Sequence, residues 1–214
     1  MTRPVIMFDH DGVLVDSFAV FTAAFADACR THGHPEVGTP DQVVALFDGN
    51  CYDSMAALGM SPEVTRAIIA DTAAVLEASS DLHPFPGVPA LLAGLATRYD
   101  VVVVTSNAAG VVRAFMTREG LAGCVSDVLG VEVDASKVRK IAATMARYPG
   151  QGRYYYVGDT RGDMLEGAEA GATPLGAGWG WQGAAALREA GAAFVAATPQ
   201  DLLAYVVDGS QPGR

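Results

Sequence analysis

Two aspartates one residue apart, just past an apolar run, are the side chains of this sequence best placed to do chemistry. Residues 4–8 (PVIMF) read as a buried strand, and Asp9-His10-Asp11-Gly12 follows directly. Side chains two apart at a strand end project to the same side, with about 6.6 Å of chain rise between them. Such a pair can divide labour. One carboxylate can bind a metal and attack phosphorus while the other shuttles a proton. Gly12 allows a sharp backbone turn beside a ligand. Taken alone, the pair could instead be loop acids capping a helix, the less favoured reading.

Three other clusters share this character. Thr105-Ser106-Asn107 closes the four valines 101–104. Hydroxyl and amide groups at a helix start near Ala109 suit an anion, and they also suit plain N-capping. Gly158-Asp159-Thr160-Arg161-Gly162-Asp163 closes the run 154–157 (YYYV). Asp159 and Asp163 are four apart, so an opening helical turn brings them to one side, for a metal or for the helix dipole. The chain has only two lysines, Lys137 and Lys140, just after Ser136. They are three apart and share a helix face.

The elements that must position these clusters alternate along the chain. Strands are expected at 4–8, 101–104 and 154–157, with weaker candidates at 126–131 and 173–177. Helical spacing marks 88–98, 136–148, 162–170 and 184–190. This alternation implies an α/β fold with a parallel sheet. In such sheets ligands bind at the carboxyl ends of the strands, at the topological switch point. Residues 17–82 differ: they are helical by pattern, without a convincing strand. They read as a helical insertion folded over the sheet's edge, with residues 83–87 (HPFPG) as its return hinge. The division is therefore 1–16 with 83–208 as core domain, 17–82 as helical cap domain and 209–214 as an unstructured tail.

Composition narrows the function. A chain of 214 residues, half of them hydrophobic, supports one full core and a small second unit. A net charge of −10 with no basic run excludes a nucleic-acid binder, so phosphate must be handled by local means. Cys29, Cys51 and Cys124 form no CxxC pair. That argues against zinc and fits a reduced, cytoplasmic setting. No signal peptide is visible, nor an apolar run of the roughly 18 residues a membrane span needs. The expected partner is a small metabolite, and the expected state a monomer or small homo-oligomer.

The segment Asp9 to Ser17 (DHDGVLVDS) resembles the first signature of the haloacid dehalogenase superfamily, and the other three clusters resemble its remaining signatures in order. The resemblance covers nearly the whole chain, the sheet domain more closely than the insertion. It implies a Rossmann-like parallel sheet core with an inserted α-helical cap. It further implies Asp9 as nucleophile and Asp11 as general acid/base. Mg²⁺ would be held by the Asp9 side chain, the Asp11 backbone carbonyl and Asp159. Thr105, Ser106 and Asn107 would hold the phosphate. The phosphate-site lysine would bind both phosphate and Asp9. Lys137 at the helix start is preferred, with Lys140 as the alternative. Asp163 would act through water or by orienting the metal's ligands.

Asp11 and Asp159 together favour phosphoryl transfer over dehalogenation. Residues 1–136 contain no lysine, so a Schiff-base lysine from the cap is excluded. A β-phosphoglucomutase-like activity needs basic residues for a second phosphate, and the cap offers only Arg30 and Arg66. The expectation is thus a Mg²⁺-dependent phosphatase acting through an aspartyl-phosphate on a small phosphorylated metabolite, with phosphoglycolate the first to test. The alternatives are the phosphomutase and a catalytically silent phosphate-binding protein. The loop 47–54 is a candidate specificity element or a plain turn. Trp179 and Trp181 are expected to pack, and His10 to tune the site or fill space.

Overall fold

The computed structural model describes residues 3–149 and 152–208. The tail at 209–214 lies outside them. Six parallel strands form one sheet in the order β3-β2-β1-β4-β5-β6. The first four are β1 (Val5–Phe8), β2 (Asp100–Val104), β3 (Asp127–Leu129) and β4 (Tyr155–Gly158); β5 (Thr173–Ala177) and β6 (Phe194–Ala196) complete it. β1 and β4 are neighbours, with Ile6 opposite Tyr155 and Phe8 opposite Val157. The chain winds outward from β1 through β2 to β3, then returns to β4 and winds the other way. The switch point falls between β1 and β4, the strands that lead into Asp9 and Asp159.

Both faces of the sheet are covered, which is why its strands are continuously apolar. Ile6, Phe8, Val101 and Val103 face one layer, where they meet Leu91 and Leu95 of helix α5 (Val88–Ala96). Val5, Met7, Val102 and Val104 face the other, with Ile141 of helix α7 (Lys137–Arg147). The alternation follows directly from the two-residue period of a strand.

Four helices fill the segment between β1 and β2 before α5: α1 (Phe18–Thr31), α2 (Pro40–Ala45), α3 (Cys51–Ala57) and α4 (Pro62–Ala78). They have an apolar cluster of their own, including Phe25, Val43, Met55 and Ile68. Local sequence sets their ends. Thr39 and Gln42 make a reciprocal capping box on α2, and the Asn50 and Ser61 side chains cap α3 and α4. The two chain passages into this unit pair with each other: the Asp16 amide donates to the His83 carbonyl at 2.9 Å, and the Phe85 amide to the Leu14 carbonyl at 3.3 Å. The expected hinge is thus a two-stranded neck.

Two features depart from expectation. The helical unit lies over the carboxyl ends of the central strands, not along a lateral edge, because the neck rises directly from the loop after β1. The pair β6 and α10 (Pro199–Asp208) was not anticipated. β6 has only three residues at the sheet margin, too few to show a period. The remaining elements are α6 (Ala109–Arg118), α8 (Arg161–Glu169), α9 (Gly183–Glu189) and a 3₁₀ turn at Ala122–Cys124.

The helical unit is docked through the loop between α2 and α3. The Gly162 amide at the start of α8 donates to the Phe47 carbonyl at 3.0 Å, and Asn50 donates to Glu166 at 2.8 Å. A Cβ on Gly162 would lie 2.5 Å from the Gly49 carbonyl oxygen and 2.8 Å from that of Phe47. Gly162→Ala is therefore expected to push the loop off α8 and cost about 1–3 kcal/mol. A fall in the urea midpoint at unchanged m, with faster proteolysis near residues 46–50, checks this.

Candidate active site

The site begins where β1 ends. The Asp9 amide donates to the Val157 carbonyl at 2.8 Å, so the switch point itself fixes the backbone of this residue. One carboxylate oxygen of Asp9 accepts from the His10 amide at 2.8 Å. The other accepts from Lys137 Nζ at 2.7 Å. Lys137 is the first residue of α7, whose start is capped by the Ser136 hydroxyl. Its ammonium also donates to Asp163 at 2.7 Å, so one buried cation bridges two carboxylates.

Asp163 is saturated. Lys137 and the Tyr156 hydroxyl donate to one oxygen; the amides of Asp159 and Thr160 and the Thr160 hydroxyl donate to the other. With Thr160 it also forms the capping box of α8. Asp159 is less well served. One of its oxygens accepts from the Trp181 amide at 2.7 Å, and the other, Oδ1, is buried with no protein partner. Oxygens of Asp9, Asp159 and Asp163 lie within 4.8 Å of one another. Gly12 (φ +75°) presses against this group, and a Cβ there would collide with the Asp159 carboxylate.

Charge explains the arrangement. Burial pushes the Asp9 carboxyl up to about 7, with Lys137 opposing and Asp163 adding to the rise. Burial and the Asp163 charge hold Asp159 well above the usual carboxylate range. Burial alone would raise Asp163 too, but Lys137 and its other donors bring it below its ordinary value. Lys137 stays charged because Asp163 and Asp9 outweigh its desolvation. Three buried carboxylates thus meet around one ammonium that pairs with Asp9 and Asp163, and Asp159 is left without compensation. A hard divalent cation at the orphaned Asp159 oxygen would supply it, and oxygen donors are what such an ion takes. The residues present fit that group.

The other sequence-predicted residues converge here. Asp11 is half-buried, and its carboxylate accepts from Asn107 Nδ2 at 3.1 Å. Thr105 is buried after β2, its hydroxyl accepting from the Asn107 amide at 3.1 Å. Thr105 does not cap α6: the N-cap is Ala108, and Glu132 instead reaches the Ala109 amide at 2.8 Å. Asp9, Asp11, Thr105, Ser106, Asn107 and Lys137 all line one cavity of about 60 Å³. Lys140 does not. Its ammonium turns to the carbonyls of Thr105 (2.5 Å) and Gly130 (3.4 Å), bracing the loop after β2. Burial, with Lys137 nearby, lowers it to about 8.

Two neighbours, Tyr156 and Thr160, were not singled out in the sequence as site residues. Tyr156 steadies Asp163, although β-strand alternation does place it beneath the site. Thr160 orients the same carboxylate, and its capping-box spacing with Asp163 is readable locally. Trp181 contributes twice. Its amide holds Asp159, and its ring lines the cavity in edge contact with Phe47, centroids 5.6 Å apart. Packing alone was expected for it. Trp179 does pack, its indole N–H donating to the Val13 carbonyl at 3.0 Å. His10 packs edge-on against Phe115, centroids 5.2 Å apart, and burial lowers its pKa. In the 47–54 loop, Phe47 and Cys51 reach the cavity while Asn50 is turned to Glu166.

The raised Asp9 pKa has a measurable consequence. Between the ordinary carboxylate pKa near 4 and about 7, the folded chain holds a proton that the unfolded chain has lost. Its stabilising contribution is therefore complete at low pH and disappears as pH rises through about 7. Metal-free Asp9→Asn protein is expected to lose less stability than the parent between pH 5 and pH 8, measured by urea unfolding.

Residues 6–177 match the sequence profile of the haloacid dehalogenase-like hydrolases. A phosphoglycolate phosphatase from Synechococcus elongatus is 28% identical over 204 residues, covering 94% of this chain and 96% of that protein. The tyrosine-protein kinase PtkA of Mycobacterium tuberculosis is 29% identical, covering 83% of this chain and 62% of its own length. A Clostridium acetobutylicum protein assigned to the phosphatases superposes with a TM-score of 0.81 at 18% identity, covering 97% of this chain and all of that one. No helix among the described residues is long and apolar enough to cross a membrane. The chain belongs to the haloacid dehalogenase-like hydrolase family, as an enzyme of the phosphoric monoester hydrolase class similar to phosphoglycolate phosphatase.

Proposed function

We propose that the chain is a Mg²⁺-dependent phosphatase of a small phosphorylated metabolite, working through an aspartyl-phosphate on Asp9. The observation that carries this reading is the Lys137 bridge between Asp9 and Asp163, beside an Asp159 oxygen that is buried and unpartnered. The Asp9 and Asp159 side chains and the Asp11 backbone carbonyl would hold Mg²⁺, which when bound screens the nucleophile from the negative phosphate.

Asp9 attacks phosphorus in line with the departing alcohol. Asp11, steadied by Asn107, gives its proton to the leaving oxygen as the phosphorus–oxygen bond breaks. Asp11 then takes a proton from water, which attacks the phosphorus and frees Asp9 and inorganic phosphate. Thr105, Ser106, Asn107 and Lys137 hold the phosphate oxygens throughout. Asp163 acts by fixing Lys137, since its own oxygens are fully used. Residues 17–82 serve as the cap, which closes over the substrate during transfer to Asp9 and opens to admit the water that hydrolyses the aspartyl-phosphate.

Hydrolysis is favoured over the mutase alternative because the cap offers no second phosphate site. Arg30 and Arg66 pair with Asp27 and Glu63 on the exposed surface, and neither lines the cavity. A silent phosphate binder would have no use for Asp9 and Asp11 together. Phosphoglycolate, in the name of the Synechococcus relative, is the reference substrate.

Phosphate release from a metabolite panel is expected to need Mg²⁺ and to stop with a chelator. Asp9→Asn should bring it to background, and Asp11→Asn should lower kcat about 10²- to 10⁴-fold. Release that survives Asp9→Asn would contradict the assignment.

A further inference from the structure

The cavity has two unlike walls. The core side carries the carboxylates, hydroxyls and ammonium described above. The opposite side is apolar: Phe21 and Phe25 of α1, Ala73 and Leu76 of α4, Phe47 of the docking loop and Trp181. The aromatic rings are braced against one another. Phe21 stacks on Phe25 at 5.6 Å and lies 4.9 Å from Trp181, centroid to centroid. The polar groups on this wall are neutral, and among them the Trp181 indole N–H is buried without a protein partner. The Thr72 hydroxyl donates to the Ile68 carbonyl at 2.8 Å, and burial pushes the Cys51 thiol up to about 12.

Among the described residues, Lys137 is the one cation lining the cavity, and Asp9 and Asp163 already hold it. A leaving group that ended in a carboxylate would lose its water against Phe, Leu and Trp side chains and find no counter-charge. Burying an ion in that way is unfavourable. An apolar leaving group in the same space gains by leaving water. Pockets of this kind, apolar with a few placed polar groups, select by shape and by what they leave unpaired.

We propose that this enzyme prefers phosphomonoesters whose leaving group is small, uncharged and apolar, and discriminates against those bearing a carboxylate. The proposal rests on the phosphatase reading above and narrows its substrate class. It sets the preferred substrate apart from the one in the name of the Synechococcus relative.

The test is a matched pair. Isobutyl phosphate replaces the carboxylate of phosphoglycolate by an isopropyl group of nearly the same shape, and both release a primary alcohol. With Mg²⁺ present, kcat/KM for isobutyl phosphate is expected to exceed that for phosphoglycolate about tenfold or more. Ala73→Arg, which sets a guanidinium in the apolar wall, is expected to shift the ratio toward phosphoglycolate. A second readout needs no turnover. In metal-free Asp9→Asn protein, tryptophan fluorescence should respond to isobutyl phosphate at lower concentration than to phosphoglycolate, and Trp181→Phe should remove the response. Equal or better use of phosphoglycolate by the parent enzyme overturns the leaving-group preference and leaves the phosphatase standing. No release from either ester, nor from acetyl phosphate as a generic donor, overturns the phosphatase and this inference together.

Discussion

One buried ammonium bridging two of three clustered buried carboxylates is the constraint on which the rest of the structure depends. Lys137 cannot lose either partner without stranding a charge in the interior, where an unpaired ion costs several kcal/mol. That requirement ties the end of β1, the start of α7 and the first turn of α8 to a single point. The remaining imbalance is useful. Asp163 is satisfied entirely by protein donors, whereas Asp159 is left with an open oxygen. The same cluster thus contains a structural carboxylate and a ligand-seeking one, and hydrogen bonding, not residue type, separates them.

The sheet supplies the geometry that makes this possible. At the switch point neighbouring strands send their following helices to opposite faces, so a gap opens above β1 and β4. Helix N-termini and loop amides converge on it and favour an anion. Lys140 shows how far the core is recruited. It sits one turn beyond Lys137 yet spends its charge on backbone carbonyls, holding the loop that carries Thr105. A lysine that looks equivalent by sequence serves as a strut.

The helical unit over this gap brings a different chemistry. Its loop is hydrogen-bonded to α8, and its aromatic side chains close the cavity. Excluding water there lowers the local dielectric, which strengthens every charge interaction on the core side. The chain's net charge of −10 offers no help to a negatively charged substrate, so attraction must come from within the site. Related chains carry names as different as phosphatase and tyrosine kinase, which is why function is argued from the site and not from the fold.

The parallel α/β architecture and the acids at its strand ends were legible in the sequence because they depend on local patterns. Short β-branched runs, helical spacing and capping residues act over a few positions, and they located β1 to β5 and marked residues 17–82 as helical. Asp9, Thr105 and Asp159 each end such a run, so their convergence followed from the topology of a parallel sheet. Other decisions were made only by the tertiary structure. β6 is too short to show a period. Lys137 and Lys140 share a helix face, and only the neighbours each one meets tell them apart. Phe21, Phe25 and Leu76 carry the same apolar signature whether they fill a core or wall a cavity. Periodicity reports which side of a helix avoids water, but not what stands across from it.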